Sequence, residues 1–229
     1  MDQLEAARMT KRRSGAELPS DPEMVRISFS YEELAQADEA NDTLQAWRVT
    51  LSALDEEEEE SPIGWLTLYR LCDFTNYSRV LAADEISGEL LRIAEAVLEG
   101  EVYSTAFEEA VEMPVGDLLI LDRVVLDRAW RGFGLGPFFA QEAILRLEGG
   151  CCAIACAPGP AERPDDGLER SQEEHDAATA KIAALWETIG FEPFEKGVYL
   201  RDAAGDFGEE LQARRSELAQ LSSEFQSAR

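Results

Sequence analysis

The residues best suited to chemistry lie in the stretch LDRVVLDRAWRGFGLG, from Leu121 to Gly136. An apolar run ends in a charged turn, and Gly132, Gly134 and Gly136 then lead into a helical pattern opening at Pro137. Glycines at that spacing permit tight dihedrals and leave no side chain between backbone and ligand. Proline suits a first helical turn, because the donor it lacks is one the helix would not use. Backbone N–H groups exposed ahead of a helix favour an anion, phosphate above all, and Arg131 adds a fixed positive charge. Two residues are candidates to move a proton. Asp122 is a lone carboxylate inside an apolar strand pattern, where burial would raise its pKa toward a useful range. The competing reading is a partner of Arg123 or a solvent-facing position on a sheet edge. His175 is the only histidine, and imidazole titrates near neutrality, although a histidine among acidic residues is more often a bystander.

Which phosphate ligand the turn suits is narrowed by spacing. A dinucleotide fingerprint needs GxGxxG, and here the next glycine falls one residue early. A Walker loop needs Gly-Lys-Ser/Thr, which the stretch lacks. What remains is RxxGxG, read as Arg131, Gly134 and Gly136.

The elements that must position this turn follow from periodicity. Residues 24–30 (MVRISFS) read as a strand, and the segment after them as helical or irregular. Residues 44–54 and 63–72 are rich in β-branched and aromatic side chains and flank DEEEEESP, which reads as a long hairpin loop. Its glutamates are either a solvated tip or a grip on a cation. Ile86, Leu90, Ile93, Ala94 and Val97 recur at helical spacing and predict a helix over 84–98, with a weaker one over 103–112. Residues 118–126 return to strand, broken only by Asp122 and Arg123, as in a strand covered on both faces. A helix over 137–147 and a strand over 151–157 follow. The loop 158–176 is long for a compact domain, as functional or mobile loops are. Ile182, Leu185, Trp186 and Ile189 mark another helix, which Gly190 ends in a left-handed cap. FEPF and VYLRD close as a hairpin. Phe207, Leu211, Leu218, Leu221 and Phe225 form one stripe of a last helix, docking on the body or on a second subunit. The chain thus divides into a flexible segment over 1–22, one α/β domain over 23–202 with a helical insertion at 84–112, and a C-terminal helix over 203–229.

The formal net charge is −26, from 47 acidic and 21 basic residues. Such a surface repels phosphate backbones and anionic lipid, so neither nucleic acid nor membrane is an expected partner, whereas a cationic substrate is attracted. No stretch is long and apolar enough to span a bilayer. The start, MDQLEAARMTKRRSG, lacks the apolar core of a secretory signal, and a cytoplasmic location is the expectation. Cys151, Cys152 and Cys156 sit in an apolar run and Cys72 lies apart. With one histidine and no CxxC pair, buried thiols on a core strand are expected there, and no metal site.

The pattern Arg131, Gly134, Gly136 resembles the pyrophosphate loop of the GNAT-type N-acetyltransferases, which follows the family's fourth strand and cradles the diphosphate of coenzyme A. Downstream, LWETIGFEPF (185–194) resembles the family's second signature, a helix running into a Gly-Phe pair and a strand. The resemblance covers about residues 117–202. It implies an α/β fold with a central mixed, mostly antiparallel twisted sheet flanked by helices. It also implies acetyl-CoA as co-substrate, with Val124, Val125 and Leu126 presenting backbone groups to the pantetheine arm. Arg131, Gly132, Phe133, Gly134, Leu135 and Gly136 would hold the pyrophosphate. Thr179 stands where an asparagine often meets the coenzyme. The implied reaction moves an acetyl group to an amine of a small molecule or protein by direct attack, with Asp122 or His175 as the base. Where the family often places a tyrosine to protonate the leaving thiolate, this chain has Trp186, whose indole cannot serve. That departure keeps an alternative open, a non-catalytic acyl-CoA sensor or interaction module on the same fold. The acceptor expected is an amine, cationic in keeping with the acidity, and the last helix offers a surface for a homodimer.

Overall fold

The apolar and β-branched runs pair into one sheet in the computed structural model, which describes residues 12–33, 39–54, 59–160 and 171–229. The strands are β1 (Val25–Tyr31), β2 (Leu44–Leu54), β3 (Glu60–Leu71), β4 (Leu98–Glu99), β5 (Val102–Tyr103), β6 (Asp117–Leu126), β7 (Cys151–Cys156), β8 (Glu192–Pro193) and β9 (Tyr199–Asp202). Seven of them lie in the order β1-β2-β3-β6-β7-β9-β8, while β4 and β5 form a separate short hairpin. Neighbours are antiparallel except β6 and β7, which are parallel. The helices are α1 (Glu39–Thr43), α2 (Arg79–Ile86), α3 (Gly88–Val97), α4 (Thr105–Ala110), α5 (Leu135–Leu147), α6 (Gln172–Glu187) and α7 (Gly208–Ser227). This is the mixed, mostly antiparallel α/β class that the sequence resemblance implied. Residues 84–112 leave the sheet and return to it, since β3 pairs directly with β6.

Period-two alternation sorts β6 and β7 between two cores. Leu119, Leu121, Ile154 and Cys156 meet Phe139, Ala140 and Ile144 of α5 and Leu221 and Phe225 of α7. Leu118, Ile120, Ala153 and Ala155 meet Ala83 of α2, Leu90, Ile93 and Val97 of α3, and Phe107 of α4. Both strands are therefore covered on both faces, which is why their sequences are almost continuously apolar. Each fully buried leucine contributes about 1.5–3 kcal/mol, and the most central positions of the sheet carry the most of them.

Several boundaries differ from those the periodicity predicts. The helix expected over 84–98 is two helices, α2 and α3. Ser87 between them is extended (φ −166°, ψ 152°), and its hydroxyl accepts from the Leu90 N–H to cap α3; the cap overrides an unbroken apolar period. Helix α5 opens at Leu135, two residues before Pro137. The segment expected to be flexible is folded in its second half. Ser14 and Asp21 cap two short 3-10 turns, Gly15–Glu17 and Pro22–Met24, and Leu18 and Pro22 are buried. Residues 1–11, most of the acidic run (55–58) and the centre of the long loop (161–170) lie outside the described residues. Among the described residues, no helix is long and apolar enough to cross a membrane.

The last helix docks on its own chain. Leu221 and Phe225 are buried in the first core and Leu218 packs against it, so this part of the apolar stripe meets the chain's own body, while Phe207 and Leu211 stay half-buried. Glu142 of α5 fixes the contact, accepting from Arg215 (2.7 and 3.2 Å) and Arg146 (2.6 Å). Burial pushes its carboxyl up, but the hydrogen bonds from Arg215 and Arg146 outweigh this and hold its pKa below the usual value. A depressed folded pKa adds stability above the unfolded carboxylate's range, and that stability is lost as pH falls through the folded value. Both arginines keep nearly half their side-chain surface in water, so an unpaired charge can be rehydrated. Glu142→Gln is expected to cost roughly 1–2 kcal/mol in urea unfolding at pH 7. The difference from wild type should shrink as the pH is taken below about 4.

Candidate active site

Strands β6 and β7 pair only over their first halves, Asp117–Leu121 against Cys151–Cys156. β7 then stops, while β6 continues to Leu126 with β3 as its one neighbour among the described strands, from Arg123↔Thr67 to Leu126↔Gly64. Alternate N–H and C=O groups of residues 122–126 therefore face a side where no described strand meets them. The register with β3 slips at the same place. Leu121 opposes Leu68 and Arg123 opposes Thr67, so Asp122 is the extra residue of a β-bulge. A bulge bends its strand and re-aims the side chains beyond it. Leu119 and Leu121 point into the first core before it, Val124 and Leu126 after it.

Asp122 is left in the row of Leu118 and Ile120, on the face that α3 covers. Its side chain is only 11% exposed, with Oδ2 3.5 Å from the Arg123 Nε. Both readings made from sequence hold at once, a buried carboxylate and an arginine pair. Burial pushes the Asp122 pKa up, Arg123 pulls it down, Glu89 of α3 pushes it further up, and the net direction is up. The Tyr69 hydroxyl is also pushed up, by burial first and then by the Asp122 charge.

The glycine turn starts directly from the unpaired half-strand. The Asp127 N–H bonds to the Ile63 carbonyl (2.8 Å), and Arg128–Trp130 make one 3-10 turn. Trp130 and Phe133 are buried and anchor the loop to the first core. Arg131 folds back, its Nε donating to the Leu126 carbonyl at 2.6 Å, so it clamps the end of β6 as well as adding charge. Gly132 (φ +87°) and Gly134 (φ +77°) occupy the left-handed region, which other residues enter only at a cost. Gly134 is the N-cap of α5 and supplies no side chain, so the first N–H groups of the helix lack a side-chain acceptor.

Gly136 is different. Its backbone is helical, and a Cβ there would meet nothing within 4 Å. Neither dihedral nor packing asks for glycine, although glycine in a helix costs about 0.5–1 kcal/mol relative to alanine. Open space beside a first helical turn is what a closely approaching ligand requires.

The remaining sequence-derived candidates are placed as follows. Thr179 is half-buried on α6, and its hydroxyl is buried without a hydrogen-bond partner among the described residues. Trp186 is half-buried and packs against the first core. His175 is exposed on α6 beside Glu174 and Asp176, and among the described residues it has no hydrogen bond to β6 or to the glycine loop. Asp122, Val124–Leu126 and Arg131–Gly136 thus form one continuous ribbon, which His175 does not join. The sequence reading missed Arg12 and Arg13, whose side chains bond to carbonyls of the loop. The only signal was a basic triplet, KRR, in a strongly acidic chain.

Two other features do not make the site. All four cysteines are free, Cys152 and Cys156 buried on β7, and burial pushes the Cys156 thiol up. Among the described residues no cluster of His, Cys, Asp and Glu is placed to hold a metal ion. A cavity of about 600 Å³ is lined by residues 73–79, 101–103, Glu108, Pro114 and Val115. The Asp73 N–H bonds to the Asp117 carboxylate (2.8 Å) at the start of β6, so this cavity lies at the opposite end of the strand from the gap.

No protein-family model matches the sequence, and no curated protein matches it. Among solved structures the chain is similar to a tyrosine-to-phenylalanine mutant of KacT, at 12% identity and a TM-score of 0.39, over 84% of this chain and 98% of that one. It is similar to AtaTR bound with AcCoA, at 12% identity and a TM-score of 0.41, over 84% and 99%. It is also similar to AtaT complexed with acetyl-methionyl-tRNAfMet, at 13% identity and a TM-score of 0.36, over 77% and 95%. Likenesses this shallow transfer neither an activity nor a ligand.

Proposed function

We propose that the chain is an acyl-CoA-dependent N-acyltransferase that passes an acetyl or related acyl group to an amine. One observation carries this reading: a half-strand with an unpaired edge, residues 122–126, runs without a break into a glycine loop at a helix N-terminus. An extended arm containing amides can pair with the half-strand as another strand would, and a diphosphate suits the amides of the loop. The open space at Gly136 fits the same ligand. When bound, acyl-CoA supplies an activated thioester.

The chain's own residues then have separate tasks. Val124, Val125 and Leu126 align the acyl carrier, and Arg131 to Gly136 hold its diphosphate, which places both reactants side by side. The attacking amine must be neutral, and Asp122 removes its proton; a carboxylate with a raised pKa is the stronger base. The acidic pair Asp122 and Glu89 favours an acceptor that arrives as a cation. Trp186 packs half-buried against the core, and its indole gives no proton to a leaving thiolate, which takes one from water.

That same tryptophan favours a second reading, an acyl-CoA sensor without turnover. Calorimetric titration with acetyl-CoA, followed by thiol release in the presence of spermidine, a lysine peptide, an aminoglycoside and an aminoacyl-tRNA, separates the two. Micromolar binding with thiol release for at least one amine is the expected result. Binding without release for every class leaves the sensor, and no binding ends both readings.

A further inference from the structure

Three successive carbonyls of the glycine loop meet one partner, the segment around Arg12 and Arg13. Arg13 Nη1 donates to the Arg131 carbonyl (3.3 Å), the Arg13 backbone N–H to the Gly132 carbonyl (3.0 Å), and Arg12 Nε to the Phe133 carbonyl (2.5 Å). The Arg12 guanidinium packs against Gly134, in the space a Cβ would need. The Arg13 guanidinium lies over the Phe133 ring, 4.5 Å from its centre. From the loop the segment runs on to α7. Arg12 pairs with Glu217 (3.1 Å), and Glu224 accepts from the Ser14 hydroxyl (2.9 Å) and the Gly15 N–H (2.7 Å). Gly15 lies so close to the Leu221 backbone that no side chain would fit.

A planar trans peptide points its C=O and its N–H in opposite directions. Holding the carbonyls of residues 131–133 toward the strap therefore turns the N–H groups of residues 132–134 away from it. We propose that this N-terminal strap, through Arg12 and Arg13, is a positioning element that sets the glycine loop in its anion-accepting shape before ligand arrives. A loop fixed in advance loses less freedom on binding, and affinity rises accordingly. That the anion is the diphosphate of an acyl-CoA rests on the reading above; the positioning role itself does not.

The experiment uses the full chain carrying Arg12→Ala and Arg13→Ala together. Both side chains are more than a third exposed, and an unchanged melting curve verifies folding; Arg13→Ala alone is the fallback. Backbone order parameters at the amides of residues 132–136 are expected to fall from about 0.85 toward 0.6, with those of β6 and β7 unchanged. Titration with CoA and with 3′-dephospho-CoA is expected to show the same loss for both, about tenfold, persisting at high salt where long-range attraction is screened. Unchanged order parameters overturn the proposal. A loss confined to CoA overturns it too, by assigning the arginines to the ligand's phosphomonoester, and tighter binding overturns it by making the strap a plug. Should the wild type bind neither ligand, the acyl-CoA reading falls while the order parameters still decide the strap.

Discussion

Gly136→Val is expected to leave the protein folded with its melting temperature unchanged, and to weaken acyl-CoA binding by about a hundredfold or more, roughly 2.7 kcal/mol. The free protein tolerates the change because the backbone is helical and the space beside it is empty. Valine is also a slightly better helix former than glycine. The same two methyl groups stand where a diphosphate would approach the first turn of α5, and a branched side chain there keeps the ligand off the N–H groups. Gly134→Val makes the contrast. At φ +77° and against the Arg12 guanidinium, valine is strained and displaces a packed group, so this variant should melt lower as well as bind worse. Calorimetry and thermal unfolding on the pair separate the two causes. Normal binding by the Gly136 variant would mean that no ligand approaches this turn.

Asp122→Asn is expected to lower turnover by about 10²- to 10⁴-fold, the range of a lost general base, with acyl-CoA affinity unchanged. Its pH profile is the sharper test. The rate of the wild type should climb with pH through an apparent pKa above the usual carboxylate range, because burial raises that of Asp122, and the variant should lack this limb. The sign for stability runs the other way. A carboxyl whose folded pKa is raised contributes stability that is fully present below about 4 and is lost as pH rises through the folded value. At pH 7 the buried charge is a cost, and Arg123, half exposed, offsets little of it. Asparagine removes the cost, so the variant should unfold at the same temperature as the wild type or higher. Slow turnover in a protein that has lost no stability assigns the defect to chemistry. An unaltered rate would remove Asp122 from the mechanism.

What the sequence made legible was local. β6 reads as a doubly covered strand because its apolar run has only two breaks. The glycine turn is legible because Gly132 and Gly134 need their dihedrals whatever surrounds them. The closing hairpin and the cap at Gly190 are short-range patterns of the same kind. The bulge at Asp122 was not legible, since a one-residue slip is set jointly with β3, more than fifty positions earlier. The cap at Ser87 was hidden by an apolar period that continues through it. The strap was read as loose because its stability comes almost wholly from partners 118 to 210 positions away, and polar residues before a first strand carry no local mark of that. His175 drew notice only for being a lone residue type, which is not a physical signal. Thr179 was placed by resemblance, and its orphan hydroxyl is something only the packed structure displays.

The contact between residues 12–17 and α7 also sets an order of events during synthesis. The strap is made before the sheet and then waits, for Glu217, Leu221 and Glu224 are made after every described strand. The strands and the glycine turn can assemble as they emerge, in the N-to-C order usual for domains. Until α7 has been translated, however, the strap lacks its second anchor and is held only by its own bonds to the loop carbonyls. Full affinity for ligand is then acquired only after the sheet is complete, and a polypeptide cut short within α7 should bind more weakly, as the strap variants do.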